Sequence, residues 1–320
     1  MKNEKNADVV SLGSLNVDHT TRISSSELDE MEDEIPEFPS AGETNELERW
    51  RLPERLRGLD YTLSLGGKGA NQSVASARAG SETAFLGKAG VDDGEEALSG
   101  LSDRDVETEA VDTVDTETGK AYVFVDERGE NRIVVVEGAN GRVDEEYVDS
   151  QYETVRNAEY LMLQNEISWK TTDYLLSRLD DDPERPKVVF DPAPPEGTAE
   201  LLRHPCVDLT TPNEHELGVI EESLDEISAT VIQTLGSEGV VVADDGEMRF
   251  PPPDVDPVDT TGAGDTFNGY LTSGLQRGKS FEGAIEYAVT AASLSTETEG
   301  TQTSVPYAET VERLIERRDR

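Results

Sequence analysis

The chain has 320 residues, of which 28 are basic and 69 acidic, for a formal net charge of −41, and 35% are hydrophobic. So negative a balance argues against nucleic acid or an anionic membrane as a partner, because both repel like charge. The apolar residues fall into clear runs, which argues for a folded protein with an acidic surface rather than a disordered acidic chain. That surface suits a salty cytoplasm, where the screening length falls from about 8 Å to about 3 Å and self-repulsion becomes tolerable. Cys206 is the one cysteine, so no internal disulfide is expected and a reducing, cytoplasmic home fits. His19, His204 and His215 lack zinc spacing, and neither a spanning apolar run nor a signal-peptide core is expected.

In chain order, Val9 to Leu15 reads as a buried strand ending in Asn16-Val17-Asp18. Asn16 and Asp18 alternate along that strand end and so share a direction, suited either to holding vicinal hydroxyls or to forming a turn. The stretch 22–60, acidic and Ser-rich and then charged around Arg49, Arg51, Arg55 and Arg57, reads as a surface excursion or part of a small lid. Gly66-Gly67-Lys68-Gly69-Ala70-Asn71-Gln72 opens a helix that Gly80 ends. Its glycines let backbone approach a ligand and Lys68 offers charge to a phosphate, although neither the P-loop nor the dinucleotide spacing is present. Thr83 to Gly87 is a strand and Glu95 to Leu101 a helix, and residues 120–125 and 132–136 form a hairpin.

From there strands and helices alternate: strand Leu161–Leu163, helix Trp169–Leu179, strand Val188–Phe190, helix Ala199–Arg203, strands Val207–Thr210, Ala229–Leu235 and Val240–Ala243. Helices then start at Ala263, Phe281 and about Ala308. This order predicts an α/β fold with a parallel sheet covered on both faces, binding its ligand beyond the carboxyl ends of the strands. Asn16, Asp18, Glu166, Asp191, Asn213 and Gly236 all follow predicted strands. Asn213 and Glu216 open a helix, where they either reach a hydrated Mg²⁺ or simply cap it. Thr234 to Gly239 is a glycine turn that takes a nucleotide or merely connects two strands. Gly262-Ala263-Gly264-Asp265 is a tight turn into a helix, a ready anion site. Asp265 is either the cap of that helix or a base that takes a proton from an attacking hydroxyl.

Taken together, Asn16-Val17-Asp18, the glycine run at 66–71, Asp191-Pro192-Ala193-Pro194, Thr211 to Glu216, Thr234 to Gly239, Asp259 to Gly269 and Gly300 to Pro306 occur in the order of the ribokinase-like members of the PfkB sugar-kinase family, which the chain resembles over nearly its whole length. The resemblance implies one domain over 1–320: a three-layer α/β/α sandwich with a mainly parallel central sheet and a small β lid from segments around 18–65 and 108–140, commonly dimerising through the lid. It implies ATP- and Mg²⁺-dependent phosphorylation of a sugar hydroxyl, most directly D-ribose to its 5-phosphate. A nucleoside, another sugar, ribose 1-phosphate, or a binding role without catalysis are the alternatives.

Carried over by position, Asn16, Asp18, Gly67, Lys68, Asn71 and Glu166 would hold the sugar. Asp265 would be the base, with Gly262, Ala263 and Gly264 the anion hole and Lys68 beside them. Asn213, Thr234, Gly236, Gly239 and Gly264 would meet the nucleotide, and Asn213 and Glu216 would reach Mg²⁺ through water. Asp259, Thr261, Ser295, Thr298, Gly300 and Ser304 match the positions that hold an activating monovalent cation, K⁺. Against the family pattern, the stretch from Asp18 to Gly66 is long and that between Glu216 and Thr234 short, and Val289 stands where a ring or amide often meets adenine.

Overall fold

A computed structural model of the chain describes residues 7–318 apart from 36, 42–43, 47–51 and 245. Its strands are Val9–Leu12 (β1), Asn16–Arg22 (β2), Thr44–Glu46 (β3), Thr62–Gly66 (β4), Thr83–Leu86 (β5), Lys88–Gly90 (β6), Val106–Glu107 (β7) and Asp112–Val114 (β8). They continue with Gly119–Val125 (β9), Asn131–Val136 (β10), Tyr160–Gln164 (β11), Lys187–Asp191 (β12), Val207–Thr210 (β13), Thr230–Thr234 (β14), Val240–Asp244 (β15) and Gly246–Phe250 (β16). The α-helices are Ser25–Glu34 (α1), Glu54–Arg57 (α2), Lys68–Ala79 (α3), Gly94–Ser102 (α4), Glu145–Arg156 (α5) and Trp169–Asp180 (α6). After these come Thr198–Leu201 (α7), Glu214–Ile220 (α8), Ala263–Gln276 (α9), Phe281–Ser295 (α10) and Ala308–Arg318 (α11).

The main sheet has nine strands in the order β16-β15-β14-β13-β12-β11-β1-β5-β7. Pairing is parallel from β7 to β14, while β15 and β16 join antiparallel at the edge. Alternation along the strands sorts residues between two faces. Val10, Leu12, Leu161, Leu163, Val188 and Phe190 point to α5 and α6, where Leu175, Leu176 and Leu179 are fully buried, each worth about 1.5–3 kcal/mol. On the other face α3, α9 and α10 pack together around Ala75, Phe267, Leu271 and Ala288. Among the described residues no helix is long and apolar enough to cross a membrane.

The second sheet, β3-β10-β9-β2-β4, stands apart from the first. Here the expectation of one strand running from Val9 to Asp18 is corrected. The chain leaves the main sheet after Leu12, and Asn16 begins a strand that pairs with β9 and β4 instead. In register, Asn16 lies opposite Gly119 and Gly66, and Asp18 opposite Ala121 and Ser64, so both do share one face.

Described residues of the stretch 22–60 pack on this second sheet. Ser24 and Glu27 close a capping box at the start of α1, which satisfies two free helix-end donors. Leu28, Met31, Ile35, Phe38, Leu52 and Leu56 then pack on Tyr122, Phe124, Val134 and Val136 of the second sheet. Arg132, buried in the same layer, pairs with Asp29 at 2.7 Å and Glu32 at 3.5 Å. Of the four arginines singled out in the sequence, Arg49 and Arg51 lie outside the described residues. Arg55 pairs with Glu34 at the surface, and Arg57 is exposed.

Candidate active site

The site forms where β2, the start of α3, the ends of β11 and β12 and the start of α9 meet. Gly67 makes the turn into α3 at φ +86°, a conformation other residues adopt only with strain. A Cβ there would meet the backbone of Ser14 and Asn16 at under 3 Å, so a side chain at 67 is excluded twice over. The turn brings the Lys68 N–H to Glu166 Oε2 at 2.9 Å, and the Ser14 hydroxyl donates to the same carboxylate.

Asp265 is the third residue of α9, buried to 5% exposure, and it does not cap the helix. Its Oδ2 accepts from Asn71 Nδ2 at 2.9 Å and its Oδ1 from Gln72 Nε2 at 3.3 Å. Of the two sequence expectations for this acid, capping is therefore excluded. At the same helix start the Ala263 N–H turns onto Thr260, and the first intrahelical bond runs from Thr266 N–H to the Gly262 carbonyl. Of the turn's N–H groups only that of Ala263 is spent, and among the described residues those of Gly262, Gly264 and Asp265 have no backbone acceptor. A Cβ added at Gly264 would meet nothing within 4 Å, so this end of the helix faces open space.

Charge is concentrated here. Burial, Glu166 and Asp265 together push Asp18 up to about 7. Asp191 is pushed up to about 8, by burial first; Lys68 opposes the shift, and Asp265, Glu216 and Glu166 add to it. Burial alone would lower the Lys68 ammonium, but Asp265, Asp191, Glu166 and Glu216 more than reverse this and hold it above its ordinary value. One cation thus sits in the field of four acids, and stays charged wherever those acids are ionised.

Asn213 and Glu216 take the capping geometry of the sequence alternatives. Asn213 Oδ1 accepts from the Glu216 N–H at 2.9 Å, and both Glu216 oxygens accept from Asn213, at 2.7 and 2.8 Å. Thr234 is bridged directly to Asn213, which sets the Gly236–Glu238 turn and Gly239 beside the same strand ends. The shortened stretch after Glu216 ends α8 early in a 3₁₀ turn over Glu221–Glu226. Val289 is buried in the α9–α10 core cluster.

Farther along, Asp259 accepts from the N–H groups of Thr261 at 2.9 Å and Gly300 at 3.1 Å. Burial would raise this acid, but those bonds hold it below the ordinary carboxylate range. The Ser304 N–H bonds the Gly300 carbonyl, and its buried hydroxyl lacks a partner. Ser295 spends its hydroxyl on Ala292 of its own helix, and Thr298 is exposed. Of the six residues expected around a monovalent cation, four are thus knitted together by hydrogen bonds, and Ser295 and Thr298 are not.

Residues the sequence did not single out complete the site. Asn140 Nδ2 donates to Asn16 Oδ1 at 2.8 Å, and its own Oδ1 accepts from the Leu15 N–H at 2.9 Å. Gln302 donates to Asn71 Oδ1 at 3.0 Å. Gln72 and Gln164 lie beneath Asp265 and Asp191.

The model of the pfkB family of carbohydrate kinases matches residues 37–308. The chain belongs to that family. A ribokinase from Lactococcus lactis is 35% identical over 305 residues, 92% of each chain. Among solved structures, a ribokinase from Thermotoga maritima is 29% identical with a TM-score of 0.78, covering 97% of this chain and 99% of its own. An Arabidopsis thaliana ribokinase solved with ribose and ATP is 27% identical, again with a TM-score of 0.78 and the same coverage. This pfkB-family chain is therefore a phosphotransferase that acts on a sugar hydroxyl, built on the ribokinase-like α/β/α sandwich.

Proposed function

We propose that the protein is a ribokinase, moving the γ-phosphoryl group of ATP to the 5-hydroxyl of D-ribose with Asp265 as the general base. The observation that carries this reading is the buried, non-capping Asp265 carboxylate, held by Asn71 and Gln72 at the open end of α9. Asn16, Asp18, Gly67, Lys68, Asn71 and Glu166 orient the sugar. As the hydroxyl attacks, its proton passes to Asp265. The Gly264 and Asp265 N–H groups and the Lys68 ammonium meet the charge that develops on the transferring phosphoryl group. Such positioning and electrostatic help supply most of what phosphoryl transfer requires.

Thr234, Gly236 and Gly239 face the nucleotide. Mg²⁺ would be held through water by Asn213 and Glu216 and would neutralise phosphate charge. Among the described residues no cluster of three acids, histidines or cysteines is arranged to hold a metal, which fits an ion that keeps most of its water shell. The charged Asp259 and the partnerless Ser304 hydroxyl fit a monovalent cation, K⁺, beside the same helix start. A homodimer through the second sheet belongs to the same reading, since the face opposite α1 carries the part-exposed Val123, Ile133 and Val135. So does a salty cytoplasm, given the −41 charge.

Asp265→Asn tests the proposal. It should fold and bind ATP, and lose about 10²- to 10⁴-fold in turnover. Near-normal turnover would move the base elsewhere, and a panel of acceptors with Mg-ATP would reveal any that outperforms D-ribose.

A further inference from the structure

Beneath Asp265 lies a chain of fully buried amides that the reaction as described does not use. Gln72, at 1% exposure, sends its one amide nitrogen to two acids, Asp191 Oδ2 at 2.8 Å and Asp265 Oδ1 at 3.3 Å. An amide has two N–H bonds and one carbonyl oxygen, and it can present either edge. What turns the N–H edge of Gln72 toward the acids is its other neighbour. Gln164, wholly buried at the end of β11, donates from Nε2 to Gln72 Oε1 at 2.7 Å. Gly13 leaves the room that Gln164 fills, because a Cβ added there would land on Gln164 Oε1. Strand alternation explains its direction: Leu161 and Leu163 face the α5–α6 core, so Gln164 faces α3.

We propose that Gln72 is a positioning residue for the base, and that Gln164 acts through it by fixing which edge of the Gln72 amide meets Asp265. The inference rests on Asp265 being the base. Two donors, from Asn71 and Gln72, then pin both oxygens of that carboxylate, so it cannot swing away from the attacking hydroxyl. Of the two acids on the Gln72 nitrogen, Asp191 is the nearer, and burial pushes it up to about 8.

The test uses the full chain in molar KCl, with kcat and both KM values measured at one pH. Methionine matches glutamine in length and is unbranched, so Gln72→Met and Gln164→Met keep the volume, and Gln72→Leu serves if the methionine variant does not fold. Gln72→Met should lose about ten- to a hundredfold in kcat at near-constant KM for sugar and ATP. Gln164→Met should do the same to a smaller extent, and should add nothing in the Gln72→Met background. A kcat that holds, a KM that rises in its place, or losses that multiply in the double variant would overturn the inference and leave only a packing role. Asp265→Asn run in parallel separates the two failures. If it keeps its turnover, the base assignment falls and this inference with it. If it is inactive while Gln72→Met keeps its kcat, the inference alone falls.

Discussion

Asp18→Asn should stabilise the protein, and more so the higher the pH. The native fold pushes this acid from 3.8 to about 7 by burying it near Glu166 and Asp265. The folded chain therefore keeps a proton that the unfolded chain releases near 3.8. Between those values the native state binds more protons than the unfolded one, so stability falls as pH rises, and the penalty is complete above about 7. Three pH units at about 1.4 kcal/mol each set a ceiling of about 4 kcal/mol. Asp18 is only part-buried, and solvent screening trims this toward about 2–3 kcal/mol. Asparagine has the same shape and no charge to bury. In urea melts of both proteins in the same KCl, the advantage of the variant should grow by about 2 kcal/mol between about pH 5 and about pH 8.5. A variant-minus-wild-type difference that is the same at both pH values would refute the reasoning.

Asn140→Leu removes both the bond that aims Asn16 and the one that ties down the Leu15 N–H. The KM for sugar should rise about tenfold with kcat retained, which steady-state kinetics would detect. Leu28→Ala opens a cavity between α1 and the second sheet; it should cost about 2–5 kcal/mol, read as a lower melting temperature. At a net charge of −41, transfer from molar to dilute KCl should unfold the protein in circular dichroism, because the screening length then grows and like charges repel one another across the whole surface.

The elements that read clearly in the sequence are those whose signals are local. The glycine turns before α3 and α9 and the Gly80 stop depend on a few adjacent residues, and the structure places all three as expected. The break between β1 and β2 is marked only by Gly13-Ser14, with apolar residues on either side, and it is pairing with β9 and β4, distant in sequence, that draws Asn16 into another sheet. Helix α5 is hidden by its own acids, yet Asp144 caps it and Tyr147, Val148, Tyr152 and Val155 keep the helical spacing, so that signal was there to find. β16 was missed because it is a short antiparallel edge strand of mixed polarity, exposed in part.

The site divides along the same line. Asp18, Lys68, Glu166 and Asp265 stand out because charged residues beside glycines or after strands need a reason to be there. Asn140, Gln164 and Gln302 are neutral amides whose partners lie 92 to 231 residues away. Nothing near them in sequence announces the meeting.

The short bend at Gly13-Ser14-Leu15 hands one continuous stretch of backbone from the main sheet to the outer one. Asn16 and Asp18 consequently ride on the roof of the pocket, while Asp265, Asn71 and Glu166 belong to its floor. On the proposed reading of the sugar contacts, any tilt of the outer sheet about those three residues would pull two of the contacts away from the others at once.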